Sequence, residues 1–147
     1  MKTVILLRHA DIDPPQGPAP DSYPLNATGL ARAQTLVHVV GLAGIAAIYT
    51  SGALRTQQTA APIADQLGLQ PRLVPPTAVQ LVEQVMGDPS AVTLIVGHSN
   101  TVPAFITAFG VPFSGPPLSG HDDLFVLTRV SANSASVVRL KYGKAAS

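Results

Sequence analysis

A chain of 147 residues is long enough for one ordinary domain, and we predict a single domain over residues 1–147. Hydrophobic residues make up 46% and charged residues 12%, a balance that supports a packed core and excludes a disordered chain. The net charge of +1, without a basic run, argues against a nucleic-acid partner, and the absence of cysteine excludes disulfides, thiolate metal sites and cysteine catalysis.

The first half of the chain alternates strands and helices. Its first strand is a continuous apolar run, typical of a strand buried on both faces. The helices show apolar residues at helical spacing and end at glycines. The predicted elements are a strand at 3–7, a helix from the cap Thr28 to Gly41, a strand at 45–49, and a helix from the cap Thr50 or Ser51 to Leu67, closed by Gly68.

The second half continues this alternation and adds a hairpin. Its predicted elements are a short strand within 70–74, a helix at 77–86, a strand at 92–96, a helix from Val102 to Gly110, and strands at 124–130 and 135–140. Alternation of this kind indicates a three-layer α/β/α sandwich with a mostly parallel central sheet.

The apolar segments predict a soluble cytoplasmic protein without a membrane partner. The N-terminal apolar run is too short for the core of a secretory signal. The longest apolar stretch, residues 36–49, is interrupted by His38, Gly41 and Gly44 and is too short to cross a bilayer. The sequence makes no prediction about the oligomeric state.

Reactive side chains follow three of the predicted strands. Arg8 and His9 come after the first strand, Ser51 and Arg55 after the second, and His98 after the strand at 92–96. Ligands of open α/β sheets bind outside the carboxyl ends of the strands, so we expect these side chains to meet at one edge.

Two arginines and two histidines at one edge suit phosphoryl transfer. The guanidinium fork matches the oxygens of a phosphate, and neutral imidazole can attack phosphorus. Because these cations already stabilise the developing charge, no metal or cofactor is expected. His9 must be neutral when it attacks, so its second ring nitrogen should donate to a backbone carbonyl or a carboxylate.

Four segments, in order, resemble the signature of the histidine phosphatase superfamily, which includes the phosphoglycerate mutases. The resemblance covers residues 3 to about 130 and implies a phosphoglycerate mutase-like fold. The segments are LRHA at 7–10, PLNATG at 24–29 (similar to L-T-x-x-G), YTSGALRTQQTA at 49–60 (similar to S-x-x-x-R-x-x-Q-T-A) and VGHS at 96–99.

The resemblance implies a role for each matching residue. His9 would be the phosphate-accepting nucleophile. The phosphoryl group would be held by Arg8, Arg55 and His98. The remaining predicted substrate-binding residues are Ser51, Asn100 and Asp11.

The sequence departs from larger members, which carry a catalytic glutamate in an insertion before the second histidine. The corresponding interval is short, and its acids are Asp65, Glu83 and Asp88. We expect Glu83 to lie on a solvated helix face. The other candidate acids are Asp11, Asp13, Asp122 and Asp123.

This departure affects the expected substrate, because an alkoxide leaving group needs a proton while an imidazole leaving from phosphohistidine needs less help. The short build resembles the compact bacterial phosphohistidine phosphatases, whose open site would suit a protein surface. We therefore expect a metal-independent phosphatase that acts on a phosphorylated small molecule or a phosphohistidine protein through phospho-His9.

Three alternatives stay open. The first is phosphoglycerate mutase-like phosphotransfer, although mutases need a lid for which the chain has little room. The second is a catalytically silent phosphate-binding domain. The third is a serine hydrolase built on residues 97–101 with His121 downstream, although Thr101 stands where the nucleophile elbow needs glycine.

The remaining charged side chains are expected to be structural. His121 with Asp122 and Asp123 is interpreted as a loop before a strand rather than as a metal site. The arginines predicted to be surface charges are Arg32, Arg72, Arg129 and Arg139.

Overall fold

The computed structural model describes residues 1–145 as six strands and four helices around one sheet. The strands are β1 (Lys2–Arg8), β2 (Ala47–Thr50), β3 (Arg72–Leu73), β4 (Val92–Gly97), β5 (Asp123–Ser131) and β6 (Ser134–Lys141). The helices are α1 (Ala27–Val40), α2 (Leu54–Leu67), α3 (Ala78–Gly87) and α4 (Thr101–Ala108). Residues 146 and 147 lie outside the described residues. That residues 1–147 form a single domain stays a prediction.

The sheet combines a parallel part and an antiparallel part. Its strand order is β3-β2-β4-β1-β5-β6. The first four of these strands run parallel, and β5 pairs antiparallel with both β1 and β6. The prediction of a mostly parallel sheet with a C-terminal hairpin is confirmed.

Alternate residues of the strands face two separate cores. Val4 and Leu6 of β1 pack in the core that α3 and α4 cover. Ile5 and Leu7 point to the opposite core, which α1 and α2 cover. Because both faces of β1 are buried, its sequence is apolar throughout, and the helices form the two outer layers of the predicted sandwich.

The strand ends align at one edge of the sheet. Arg8 at the end of β1 pairs with Gly97 at the end of β4. Thr50 at the end of β2 pairs with Val96. Since β5 is antiparallel to β1, it begins at this same edge, which we call the active edge.

The predicted cap of α1 is wrong. Asn26, in extended conformation, is the N-cap, and its side-chain oxygen accepts from Gly29 N–H at 2.8 Å. Thr28 lies inside the first turn. A Cβ atom at Gly29 would lie 2.2 Å from the carbonyl oxygen of Asp11, so glycine lets the helix approach the loop after β1.

The predicted cap of α2 is also wrong. Thr50 is the last residue of β2, and Ala53 is the N-cap without a side-chain cap. The turn at 51–53 leaves the side chain of Ser51 at the active edge. The predicted ends of α1 and α2 at Gly41 and Gly68 are confirmed.

The helices of the described chain do not include a membrane span. None of those within residues 1–145 is both long enough and apolar enough to cross a bilayer.

Candidate active site

His9 directly follows β1 and is held at the active edge by its backbone. Its N–H donates to the carbonyl oxygen of Gly97 at 2.8 Å, and only 3% of the residue is exposed. The next N–H, of Ala10, donates to the buried Thr59 hydroxyl at 2.8 Å. These bonds tie the turn after β1 to both β4 and α2.

The ring of His9 presents one nitrogen to its own chain. Nδ1 lies 2.8 Å from the carbonyl oxygen of Ala10. Because a carbonyl oxygen only accepts, this hydrogen bond places the proton on Nδ1 and leaves a lone pair on Nε2. Burial, with a further contribution from the charge of Arg8, lowers the pKa of His9 to about 3. The predicted bond to a backbone carbonyl is confirmed, and His9 is neutral near pH 7.

His98 begins the turn after β4 and is held by a chain of hydroxyl groups. Its Nε2 lies 2.8 Å from Ser51 Oγ, which lies 2.9 Å from Thr56 Oγ1. The Thr56 hydroxyl donates to the carbonyl oxygen of Ala53 at 2.8 Å. Because the Thr56 hydroxyl proton is used in that bond, the hydroxyl of Ser51 donates to Thr56 Oγ1. The Ser51 oxygen then accepts from His98, which places a proton on His98 Nε2.

The pKa of His98 is lowered by burial and by the charge of Arg55. Its ring centroid lies 5.4 Å from that of His9.

Two arginines bring positive charge to this edge. Arg8 Nη1 donates to the carbonyl oxygens of Leu118 at 3.2 Å and Gly120 at 3.0 Å. Arg55, in the first turn of α2, donates through Nη1 to the carbonyl oxygen of Pro20 at 2.9 Å. Burial and the charge of Arg55 lower the pKa of Arg8. The arginines therefore lie close enough to repel each other, an arrangement that favours an anion between them.

The structure thus brings together the four residues predicted to carry catalysis. Arg8 and His9 lie at the end of β1, Arg55 in the first turn of α2 and His98 directly after β4, so all four lie at the active edge. Their roles in a reaction stay predictions.

The model of the histidine phosphatase superfamily (branch 1) matches residues 4–78, which is just over half of the chain. The chain belongs to this superfamily. The matched part carries β1, α1, β2 and α2, and so includes Arg8, His9, Ser51 and Arg55. Membership supports a phosphatase activity in general terms.

Solved structures show the same fold over almost the whole chain. The protein histidine phosphatase SixA complexed with tungstate is 17% identical, with a TM-score of 0.75 and coverage of 95% of this chain and 96% of that one. A SixA structure from Nakamurella multipartitia is 21% identical, with a TM-score of 0.70 and coverage of 96% of both chains. A mycobacterial glucosyl-3-phosphoglycerate phosphatase is 14% identical, with a TM-score of 0.73 and coverage of 97% and 98%. No curated protein sequence matches this chain.

The predicted substrate-binding residues of this superfamily member lie in three different settings. Ser51 contacts His98, as described above. Asn100 precedes α4 and is exposed, without a side-chain cap bond. Asp11 forms an ion pair with Arg32, with Oδ1 2.7 Å from Nε. Although burial raises the pKa of Asp11, the bond to Arg32 outweighs it and the pKa is lowered, so Asp11 is ionised and poorly suited to donate a proton.

The other candidate acids are exposed or engaged in pairs. Glu83 is exposed on α3, as expected. Asp13 is exposed and accepts from Asn26. Asp122 and Asp123 are buried and lie within ion-pair distance of Lys141. None of these settings favours a proton donor at His9.

The prediction that Arg32 is a surface charge is wrong. The residue is 3% exposed, and its Nη1 donates to the carbonyl oxygen of Tyr142 at 2.7 Å. Helical spacing did not reveal this, because its partners lie 21 and 110 residues away.

The sequence interpretation missed His121 as a neighbour of His9. Their ring centroids lie 5.2 Å apart, and His121 Nδ1 lies 2.9 Å from the carbonyl oxygen of His9. The sequence showed that His121 precedes the first strand of the predicted hairpin, but the pairing of that strand with β1, which brings His121 to the active edge, came only from the structure. Within residues 1–145, no three His, Cys, Asp or Glu side chains are arranged to hold a metal ion.

Proposed function

We propose that this chain is a metal-independent phosphatase that hydrolyses a phosphate monoester or phosphohistidine through a covalent phosphoryl intermediate on His9. The observation that carries the proposal is the bond from His9 Nδ1 to the carbonyl oxygen of Ala10. It fixes the tautomer whose Nε2 lone pair attacks phosphorus. Burial keeps this imidazole unprotonated across the physiological range.

The phosphoryl group would be held by Arg8, Arg55 and His98. Arg8 Nε is buried and has no hydrogen-bond partner among the described residues. A buried donor without a partner is destabilising, and a phosphoryl oxygen would satisfy it. The charge on the equatorial oxygens would be stabilised by the two guanidinium groups in a largely buried setting.

The proposed reaction has two displacements. His9 Nε2 forms a bond to phosphorus while the bond from phosphorus to the leaving group breaks. Water then attacks the phosphohistidine, and the bond between phosphorus and Nε2 breaks to release inorganic phosphate. Throughout the cycle Nδ1 keeps its proton and its bond to Ala10, so the ring does not rotate between the steps.

The substrate class stays broad in this proposal. The structural relatives include a protein histidine phosphatase and a phosphatase of glucosyl-3-phosphoglycerate, so one fold accommodates both classes. The sequence favoured phosphohistidine because no acid was found. His121 lies beside His9 and could supply a proton to a leaving group, so the lack of a carboxylic acid no longer favours phosphohistidine. We therefore propose both a phosphorylated small molecule and a phosphohistidine protein as substrates.

A single-turnover trap tests the proposal. The protein is mixed with a labelled phosphohistidine peptide or with p-nitrophenyl phosphate and quenched quickly, in buffer with and without EDTA. We expect an acid-labile, base-stable phosphoryl group on His9 under both conditions, and its loss in His9→Ala with the fold retained. Substrate turnover by a folded His9→Ala protein would contradict the proposal.

The same trap separates the alternative functions. A mutase-like enzyme would pass the label from His9 to an added phosphorylated acceptor instead of to water. A silent domain would bind inorganic phosphate without becoming labelled. Neither alternative is favoured by a specific contact of the described residues.

A further inference from the structure

A third imidazole lies at the proposed phosphoryl site. His121 is half-buried in the loop that leads into β5, and its ring is 5.2 Å from that of His9. Its position follows from the topology, since Leu124 of β5 pairs with Leu7 of β1. The three residues that precede Leu124 therefore extend along the turn that contains the nucleophile.

The side chain of His121 and the loop that precedes it are both held by hydrogen bonds. Its Nδ1 donates to the carbonyl oxygen of His9 at 2.9 Å, because that oxygen only accepts. The loop before it is fixed by Arg8, which donates to the carbonyl oxygens of Leu118 and Gly120. Nε2 is consequently the ring nitrogen left for chemistry, as in His9 itself.

We propose that His121 is the catalytic proton-transfer group of this phosphatase, an assignment that rests on the proposed function. In the first step, as His9 Nε2 bonds to phosphorus, the departing oxygen takes a proton from His121 Nε2. In the second step, the attacking water gives a proton back to Nε2 while the bond between phosphorus and His9 breaks. The proton balance closes, and no further reactant is required.

The five carboxylic acids that were the candidate proton donors leave this role open. Glu83 and Asp13 are exposed, and Asp11 is paired with Arg32. Asp122 and Asp123 face Lys141. Two imidazoles, His98 and His121, lie against His9 without a salt-bridge partner among residues 1–145. The Nε2 atom of His98 is bonded to Ser51, whereas His121 is held through Nδ1, so the described contacts favour His121 for this role.

The charges around His121 set its protonation. Burial lowers the pKa of His121, and the bond to the His9 carbonyl raises it. The charges of Arg8 and Arg32 lower this pKa further, whereas the carboxylate of Asp11 raises it. The net effect is a lowered pKa, so His121 is a base in the free enzyme near neutrality. A bound phosphoryl dianion raises the pKa again and favours the acid form that the first step needs.

The test compares His121→Asn with His121→Ala on an alkyl phosphate and on p-nitrophenyl phosphate. The Asn amide nitrogen stands where Nδ1 stood and keeps the donor to His9, but it does not titrate. We expect His121→Asn to reduce kcat for the alkyl phosphate at least about 100-fold. We expect kcat of the wild type to decrease at high pH, and this decrease should be absent from His121→Asn.

The second substrate separates the two steps. Since p-nitrophenolate departs without a proton, His121→Asn should still release a burst of it and accumulate phospho-His9. A slow second step would then follow, because water has lost its base. His121→Gln provides a second variant without a titratable ring.

Three results overturn the assignment. Recovery of alkyl phosphatase activity in His121→Asn relative to His121→Ala would reduce His121 to a positioning residue. An unchanged pH profile in His121→Asn and His121→Gln would exclude proton transfer. A wild-type protein that hydrolyses both substrates without forming phospho-His9 would contradict the proposed function as well, which the first two results would not.

Discussion

Five of the six arginines of this molecule fall into two groups with opposite partners. At the active edge, Arg8 and Arg55 donate to backbone carbonyl oxygens, and neither lies within ion-pair distance of a carboxylate in the described chain. Elsewhere, Arg32, Arg72 and Arg139 pair with aspartates. A carbonyl oxygen orients a guanidinium without neutralising it, so the active edge keeps its positive charge for an anion, whereas the paired arginines stabilise the fold.

Replacing Arg55, at the active edge, should reduce activity far more than replacing an arginine that is paired with an aspartate. Removal of a charged donor from a preorganised anion site reduces the rate by about 10²–10³-fold, or about 3 to 4 kcal/mol. We expect Arg55→Ala to lower kcat/KM by this factor with little change in unfolding free energy, since the side chain is half-buried and its bond to Pro20 is exposed.

Arg72→Ala provides the matched control for Arg55→Ala. Its pair with Asp88 is largely exposed, and we expect kcat/KM to stay within about two-fold of wild type, as for surface changes away from the site. Equal activity losses in the two variants would show that the proposed division of the arginines is wrong.

Replacing Arg32 should affect stability instead. Its side chain is 2% exposed, and Arg32→Met leaves the partly buried Asp11 and the carbonyl oxygen of Tyr142 without their donor. Breaking one side of a buried pair destabilises a protein by about 3 kcal/mol or more. Urea unfolding should show this loss, while the phosphoenzyme trap should still label His9 in the folded fraction.

The control for Arg32→Met is Asp88→Asn. The amide oxygen keeps the bond from Ser90 N–H, and the lost pair with Arg72 is exposed, so we expect a change below about 1 kcal/mol. A smaller loss in Arg32→Met than in Asp88→Asn would contradict the assignment of Arg32 to the fold.

The active-edge arginines were predictable from sequence, and the buried pair was not. Arg8 and Arg55 occupy strand-end and helix-start positions, which apolar periodicity locates well. Arg32 was predicted to be a surface charge, as an arginine most simply is, and the partners that bury it are distant in sequence. Long-range contacts of this kind leave no local pattern.

The same reason explains the caps and His121. The sequence pattern predicted the cap of α1 at Thr28, whereas Asn26 caps the helix and Gly29 packs on Asp11. His121 follows no predicted parallel strand, and its proximity to His9 depends on β5 pairing with β1. The periodicity of apolar residues predicted that these strands exist, but it did not predict which strands lie next to each other in the sheet.

The burial of His9 at the active edge also predicts acid sensitivity. Burial lowers the pKa of His9 to about 3 in the folded protein, against an ordinary value of about 6.5 in the unfolded chain. Between these values the unfolded chain binds a proton that the folded protein does not, so unfolding free energy decreases as the pH falls below about 6.5. The contribution approaches 1.4 kcal/mol per pH unit.

His9→Asn removes this titration while its amide nitrogen keeps a donor for the Ala10 carbonyl. Urea unfolding at pH 7.5 and pH 5.5 should show a loss of about 1 kcal/mol more in wild type than in His9→Asn. His98 and His121, whose pKa values are also lowered, titrate in both proteins and cancel in this difference. Parallel losses in the two proteins would mean that His9 is solvated enough to titrate normally, and a protonated His9 could not attack phosphorus. The comparison therefore tests, without any substrate, the protonation state that the proposed role of His9 as nucleophile requires.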